Sequence, residues 1–151
     1  MKKVSVVIPC FNQSDFLLDA IKSVMNSTYK NIEVIVVNDG STDKTPEEIS
    51  NLLSPFENIV LINQQNSGVC VARNNGIIKA SGEYILPLDA DDKIAETYIE
   101  KAISILENNP DIGIVYCEAE FFGTEGNKKW NLKPATLSNM LVQNRIFPSG
   151  V

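Results

Sequence analysis

The stretch Ile32–Asp43 reads IEVIVVNDGSTD, an apolar run that ends abruptly in polar turn residues. Such a run is typical of a strand that is covered on both faces of a parallel sheet. Five runs rich in β-branched residues start about every 25 to 30 residues, the length of one strand–helix unit: Val4–Pro9, Ile32–Asn38, Ile59–Asn63, Tyr84–Leu88 and Ile112–Cys117.

The segments between these runs carry apolar residues at helical spacing. Four helices are therefore expected: from a cap at Ser14 to Met25, from a cap at Thr42 or Asp43 to Leu53, at Val69–Ala80 and at Ile94–Glu107. Strands that alternate with helices predict an α/β domain with an open, mostly parallel sheet and helices on both faces.

The composition excludes several classes of function. The chain has 151 residues, the length of one domain, and 44% of them are hydrophobic, enough for a core. Its 13 basic and 19 acidic side chains give a net charge of −6, which disfavours a nucleic-acid partner. It has no histidine, so Ser-His-Asp sites and histidine-ligated zinc are excluded.

The cysteines and the N-terminus indicate the cellular compartment of the protein. Cys10, Cys70 and Cys117 form no CxxC pair and lie in apolar runs, so we expect small core residues in a reducing compartment. The N-terminus lacks the pattern of a signal peptide, and no apolar run reaches membrane-spanning length. These features predict a soluble chain in the cytoplasm.

The pattern changes after Cys117. A turn at Gly123–Asn127 between two extended pieces and a last helix at Pro134–Asn144 are expected. The final residues resemble the start of another strand, so we expect residues 1–151 to be one domain that is truncated at its C-terminus. A truncation would expose apolar surface, and self-association through that surface to form a homodimer is a hypothesis.

Polar clusters follow three of the predicted strands: Pro9-Cys10-Phe11-Asn12, Asn38-Asp39-Gly40-Ser41-Thr42-Asp43 and Asp89-Ala90-Asp91-Asp92. Ligands of open parallel sheets bind beyond the carboxyl ends of the strands. The three clusters therefore predict a ligand site along one edge of the sheet.

The acidic run at residues 89–92 has two interpretations. Its three carboxylates repel one another unless a cation lies between them, and Mg²⁺ or Mn²⁺ fits because these ions prefer oxygen ligands. The alternative is an acidic helix N-terminus, where carboxylates cap backbone N–H groups. Asp92 suits that second role.

Three other side chains also have two interpretations. The Asp39 carboxylate accepts hydrogen bonds from a base or ribose, or it belongs to a tight turn. The Phe11 ring stacks on a base, or it packs in the core. Arg73 pairs with an aspartate of the edge or steadies a diphosphate, or else it lies solvated at the surface.

Four stretches, in this order, resemble an inverting glycosyltransferase of family 2: VSVVIPCFN at Val4–Asn12, IEVIVVNDGSTD at Ile32–Asp43, NSGVCVARNNG at Asn66–Gly76 with ASGEY at Ala80–Tyr84, and LPLDADD at Leu86–Asp92. The resemblance covers roughly residues 1–120. It implies the GT-A fold, a Rossmann-like nucleotide-sugar-binding fold. It also implies metal-dependent transfer of a sugar from a nucleoside-diphosphate sugar to an acceptor hydroxyl, with inversion.

The resemblance assigns roles to single residues. It implies that Phe11 and Asp39 contact the nucleotide base, beside Pro9 and Asn12 of the same segment. Phe11 stands where tyrosine is common in the family, so stacking is kept and a hydroxyl contact is lost. The remaining implied positions are Arg73 near the base or diphosphate, Asp89 facing the ribose, and Asp91 as the ligand of Mn²⁺ or Mg²⁺.

No general base is assigned, because the family's base is an aspartate in a later segment, expected beyond Val151. Glu118 and Glu120 follow the fifth run, but the resemblance supports neither as the base. We therefore expect this chain to supply the donor-binding half, which binds a donor without completing transfer.

The family also implies partners. UDP is the commonest donor nucleotide, with dTDP and GDP as alternatives, and the acceptor is a saccharide or glycoconjugate in polysaccharide biosynthesis. Association of the full-length protein with the cytoplasmic face of a membrane is a further expectation.

Rival functions are a non-catalytic nucleotide-sugar-binding module and a nucleotidyltransferase. The latter usually has a glycine-rich, cationic loop after its first strand, and residues 10–13 contain neither glycine nor a cation. A glycosidase would need two carboxylates facing one bond, and the sequence shows no facing partner for Asp89 or Asp91.

Overall fold

The computed structural model describes residues 1–44, 46–122 and 128–130. Strands and helices alternate along the chain: β1 (Val4–Cys10), α1 (Ser14–Met25), β2 (Ile32–Asp39), α2 (Pro46–Leu53), β3 (Ile59–Gln64), α3 (Val69–Lys79), β4 (Tyr84–Pro87), α4 (Tyr98–Asn108), β5 (Ala119–Phe121) and β6 (Lys128–Trp130). None of the described helices has the length and apolar character needed to cross a membrane. The predicted turn at Gly123–Asn127 and the predicted helix at Pro134–Asn144 lie outside the described residues.

The first four strands form one parallel sheet in the order β3-β2-β1-β4. β1 is central, with Val4 beside Ile32 of β2 on one side and beside Tyr84 of β4 on the other. All seven residues of β1 are buried, as its nearly continuous apolar sequence predicts. The expected α/β fold with an open parallel sheet is confirmed.

Helices cover both faces of the sheet. On one face Val6 and Ile8 of β1 pack in a large core with Leu17 and Ile21 of α1, and α2 and α4 contribute to the same core. On the other face Val7 packs with Ala72 of α3. A Cβ atom on Gly76 would lie 2.3 Å from the Val7 Cγ1 atom, so only glycine lets α3 approach the sheet this closely.

The predicted fifth strand at Ile112–Cys117 is wrong. Residues 112–118 have no regular secondary structure, and β5 and β6 form a separate antiparallel pair. Residues 113–117 line a cavity of about 390 Å³ together with residues of β4 and α4, and they form no ladder with β4. β4 is therefore an edge strand within the described residues, and Ile85 remains 38% exposed.

Several predicted caps and ends differ from the structure. Ser14 is the first residue of α1 rather than its cap, and α2 begins at Pro46, a favoured first position because proline has no N–H to leave unbonded. α4 begins at Tyr98 rather than Ile94. Cys70 is exposed on α3, so of the three cysteines only Cys10 is fully buried, as expected for a core residue.

A hydrogen-bonded cluster ties the amino-terminal ends of the strands together. We call it the Glu33 cluster: Lys3, Ser5, Glu33, Ser81 and Gly82. The Glu33 carboxylate accepts hydrogen bonds from the Ser5 hydroxyl at 2.5 Å and the Ser81 backbone N–H at 2.7 Å, and it pairs with the Lys3 ammonium at 2.9 Å. The Ser5 hydroxyl in turn accepts from the Gly82 N–H at 2.8 Å. The cluster thereby fixes the turn between α3 and β4.

This cluster predicts an acid-sensitive contribution to stability. Burial raises the pKa of Glu33, but hydrogen bonds from Ser5, Lys3 and Ser81 outweigh it and lower the pKa to about 2. The stabilisation is therefore fully present above the unfolded pKa and is lost as the pH falls toward the folded pKa. We expect the difference in unfolding free energy between wild type and Glu33→Gln to shrink by about 2 kcal/mol from pH 6 to pH 3.

Urea titrations of both proteins at the two pH values measure this difference. Other carboxylates titrate equally in both proteins, so subtraction isolates Glu33. An equal difference at pH 6 and pH 3 would contradict the prediction.

Candidate functional site

The parallel sheet brings the predicted polar clusters to one edge. β1, β2, β3 and β4 all run in the same direction, so their carboxyl ends lie on the same side. We call this edge the rim and define it as the residues at or just beyond those ends: 11–12, 39–43, 64–68 and 89–92. Pro9 lies just inside it, buried within β1 beside Val37.

Asp39 is buried at the rim and holds the start of α3. Its side chain is only 3% exposed, and its carboxylate accepts from the Ser67 N–H at 2.8 Å and the Gly68 N–H at 2.9 Å. Gly68 has φ +89°, a left-handed conformation that suits glycine, and it directly precedes α3. Gly68 is the N-cap of α3 and has no side chain with which to cap the helix. Asp39 performs that task from the neighbouring strand.

Gln64 gives Asp39 its third hydrogen bond. The sequence patterns did not identify Gln64 as a site residue. Its Nε2 atom donates to Asp39 Oδ1 at 2.7 Å, while its Oε1 atom accepts from Asn75 of α3 at 2.7 Å. Asn75 thereby fixes which end of the Gln64 amide faces the carboxylate. The rule that ligands bind beyond strand ends applies to β3 as well, and applying it there would have identified Gln64.

Two rim loops lock each other in place. Asn12, with φ +53°, accepts through Oδ1 from the Thr42 N–H at 2.7 Å, and its own N–H donates to the Ser41 hydroxyl at 3.1 Å. In return Asp43 accepts from the Ser14 N–H at 2.9 Å and the Ser14 hydroxyl at 2.7 Å. Partial burial raises the pKa of Asp43, but these hydrogen bonds outweigh it and lower the pKa.

Phe11 is carried by this locked pair of loops. Its ring is 46% exposed, so it does not pack fully in the core. The preceding residue, Cys10, lies opposite Asn38 in the sheet, which brings the segment containing Phe11 next to the segment containing Asp39. The arrangement presents an accessible aromatic ring on a rigid support.

Arg73 pairs with Asp89, one of the two partners considered for it from the sequence. Its Nη2 atom donates to Asp89 Oδ1, and both side chains are partly buried. The Nε atom of Arg73 is buried and has no hydrogen-bond partner within the described residues. Buried polar groups are nearly always bonded, so this unpaired N–H is an exception among the described residues.

Asp91 differs from its neighbours. Its side chain is exposed and makes no hydrogen bond or ion pair with any residue that the structure describes. Among residues 1–44, 46–122 and 128–130, no three His, Cys, Asp or Glu side chains form a group able to hold a metal ion by themselves. A free carboxylate with few protein co-ligands fits Mg²⁺ or Mn²⁺, which commonly take one or two carboxylates and fill the remaining positions with substrate phosphates and water.

The chain matches a known protein family and resembles curated members of it. A sequence model of the family described as Glycosyl transferase family 2 matches residues 5–149. The glycosyltransferase GlyA of Streptococcus pneumoniae is 38% identical over 113 residues, which cover 74% of this chain and 16% of GlyA.

Two solved structures share the fold. TarS 1–349 from S. aureus in complex with UDP has a TM-score of 0.62 and 27% identity, covering 70% of this chain and 32% of TarS. The mannosyltransferase PcManGT from Pyrobaculum calidifontis, in complex with GDP-Man and Mn²⁺, has a TM-score of 0.71 and 25% identity, covering 77% of this chain and 35% of that protein. The chain spans less than half the length of each of these three proteins.

Proposed function

Since the chain belongs to glycosyl transferase family 2, we propose that its rim binds a nucleoside-diphosphate sugar together with a divalent cation. The whole protein would transfer the sugar to a hydroxyl of a saccharide or glycoconjugate, with inversion at the anomeric carbon. The predicted membrane association and homodimer stay predictions.

One observation carries the proposal: Asp91, which is exposed and has no partner among the described residues, lies two positions after Asp89 of the Arg73–Asp89 pair, at the open edge of a parallel sheet. A diphosphate brings negative charge to a rim that already holds Asp39, Asp89 and Asp91, so it requires added positive charge. Arg73 donates to Asp89 through Nη2, and a guanidinium has further N–H groups that can donate to an oxygen of the ligand.

A cation held by Asp91 would supply charge neutralisation for the departing nucleoside diphosphate. Asp89 is held by Arg73 in a fixed position, from which its second oxygen can accept a hydrogen bond from a ribose hydroxyl. No residue of the chain is assigned as the general base.

The base-binding side of the rim uses Phe11 and Asp39. The half-exposed ring of Phe11 offers a surface on which a base can stack. A carboxylate accepts roughly four hydrogen bonds, and three donors already reach Asp39, so we assign it at most one contact to the base. The UDP of the TarS complex and the GDP-Man of the PcManGT complex support a nucleotide of this class.

Calorimetric titration tests the proposal. UDP is titrated into the chain with Mn²⁺, with Mg²⁺ and with EDTA, and GDP and dTDP are titrated under the same conditions. We expect saturable binding of at least one nucleotide that EDTA weakens by at least about tenfold. Absence of binding for all three nucleotides with both metals would reject the donor site.

A further inference from the structure

A second cavity lies outside the rim. Its volume is about 510 Å³, and it opens between residues 93–95 on one side and the β5–β6 pair on the other. Its lining consists of Lys93, Ile94, Ala95, Glu118, Ala119, Glu120, Phe122 and Lys129. No residue of the rim contributes to this lining. Because Lys93 follows Asp91-Asp92 directly in the chain, the cavity begins where the rim ends.

The wall formed by residues 93–95 is firmly attached. The Lys93 ammonium pairs with Asp19 of α1 at 2.8 Å, and the Ile94 N–H donates to the Ser23 hydroxyl at 3.2 Å. The same ammonium lies 5.2 Å from the centre of the Phe122 ring, which ties the opposite wall to this one by a cation–π contact. The two walls of the cavity are thus connected through Lys93.

The charges of the lining match a ligand that carries hydroxyl groups and no net charge. The exposed Glu118 and Glu120 form no hydrogen bond or ion pair within the described part of the chain. Lys93 is already engaged by Asp19, and Lys129 lies opposite Glu120 in the β5–β6 pair. Of the two lysines in the described lining one is already paired, so an anion would meet two carboxylates and only Lys129 as an unpaired cation, whereas hydroxyl groups can donate to both carboxylates.

Phe122 adds an apolar surface to the lining of the cavity. Its ring is 49% exposed, so part of its apolar surface is open to a ligand while Lys93 lies near the ring. A pyranose has a face of C–H groups that packs on an aromatic ring and an edge of hydroxyl groups that bond to carboxylates. Small-molecule sites combine these same two features, apolar surface and a few placed polar groups.

We propose that this cavity binds the saccharide acceptor, with Glu118 and Glu120 accepting hydrogen bonds from its hydroxyl groups and Phe122 packing against its ring. The proposal rests on the proposed function, because it takes the sugar donor to be bound at the adjoining rim. It gives Glu118 and Glu120 a binding role and not that of a general base.

Nuclear magnetic resonance tests the cavity directly. The ¹⁵N-labelled chain is titrated with the neutral methyl glycosides of glucose, galactose, mannose and N-acetylglucosamine. We expect at least one of them to shift the amide signals of Lys93, Ala95, Ala119 and Phe122 in a saturable way. Shifts elsewhere, or no saturable shift with any of the four, would overturn the proposal.

Variants separate the carboxylates from general surface effects. Glu118→Gln and Glu120→Gln should each lower the affinity for the glycoside by at least about tenfold, the effect expected when a hydrogen bond to a charged group is lost. The matched control is Glu57→Gln, an exposed glutamate outside the cavity, which should bind as wild type does. Unchanged affinity in both cavity variants would overturn the proposal, and dispersed spectra confirm that each variant is folded.

Calorimetry with UDP and Mg²⁺ on the same samples keeps the two proposals apart. Both cavity variants should bind UDP as wild type does, because neither residue belongs to the rim. Normal UDP binding without a glycoside response rejects the acceptor cavity alone. Absence of nucleotide binding in the wild type rejects the donor site, whatever the glycosides do.

Discussion

Asp91→Asn is expected to weaken metal-supported UDP binding by about a hundredfold and to leave the stability of the chain unchanged. The Asp91 side chain is exposed and has no partner within the described residues, so its removal breaks nothing in the fold. Asparagine keeps the shape of the side chain and loses the charge and one oxygen. Calorimetry with Mn²⁺ measures the binding, and urea unfolding measures the stability.

Asp92→Asn is the matched control, because it removes the same charge one residue further on. We expect a change of less than about tenfold in nucleotide affinity for this variant, since its charge acts at longer range. A large loss with Asp92→Asn and none with Asp91→Asn would show that the metal ligand is Asp92. Equal affinity with and without EDTA in all three proteins would reject the cation altogether.

Asp39→Asn is expected to lower the free energy of unfolding by about 2 to 3 kcal/mol. The wild-type carboxylate accepts from Gln64, Ser67 and Gly68, and it is 3% exposed. Asparagine replaces one acceptor oxygen with an NH₂ group, which then faces an N–H donor. At least one of the three donors loses its partner, whichever way the amide is turned.

Urea unfolding measures this loss, and Asp111→Asn at an exposed position is the control. Asp39→Asn should also weaken the binding of UDP, because the start of α3 positions Arg73 for its ion pair with Asp89. An unfolding midpoint equal to that of the control would contradict the assigned role of Asp39. Reduced UDP affinity at unchanged stability would indicate that Asp39 acts on the base directly.

The parallel sheet and its rim were predictable because the strands carry strong local patterns. The apolar runs of β1 and β2 predict buried strands, and polar residues at their ends predict the rim without any knowledge of tertiary contacts. The pairing of Arg73 with an aspartate of the rim was one of the stated interpretations, and the structure selects Asp89.

The capping role of Asp39 was not predictable from the sequence. Its donors include two backbone amides, which leave no signature in the residue types, and they lie 28 and 29 residues further along the chain. The failed fifth strand has a related cause. An apolar run such as Ile112–Cys117 shows that a segment is suited to extended structure, but a strand also needs a partner at bonding distance, and this segment lines a cavity with β4 and forms no ladder with it.

The Glu33 cluster has a consequence for how this protein can change over evolutionary time. It secures the amino-terminal ends of the strands, at the opposite end of the sheet from the rim. Exposed rim residues such as Phe11 and Asp91 can therefore drift under selection for a new ligand with little effect on folding. Asp39 is the exception, because it serves both the rim and the fold. In related proteins that bind a different ligand, we expect the exposed rim residues to differ first and Asp39 itself to differ last.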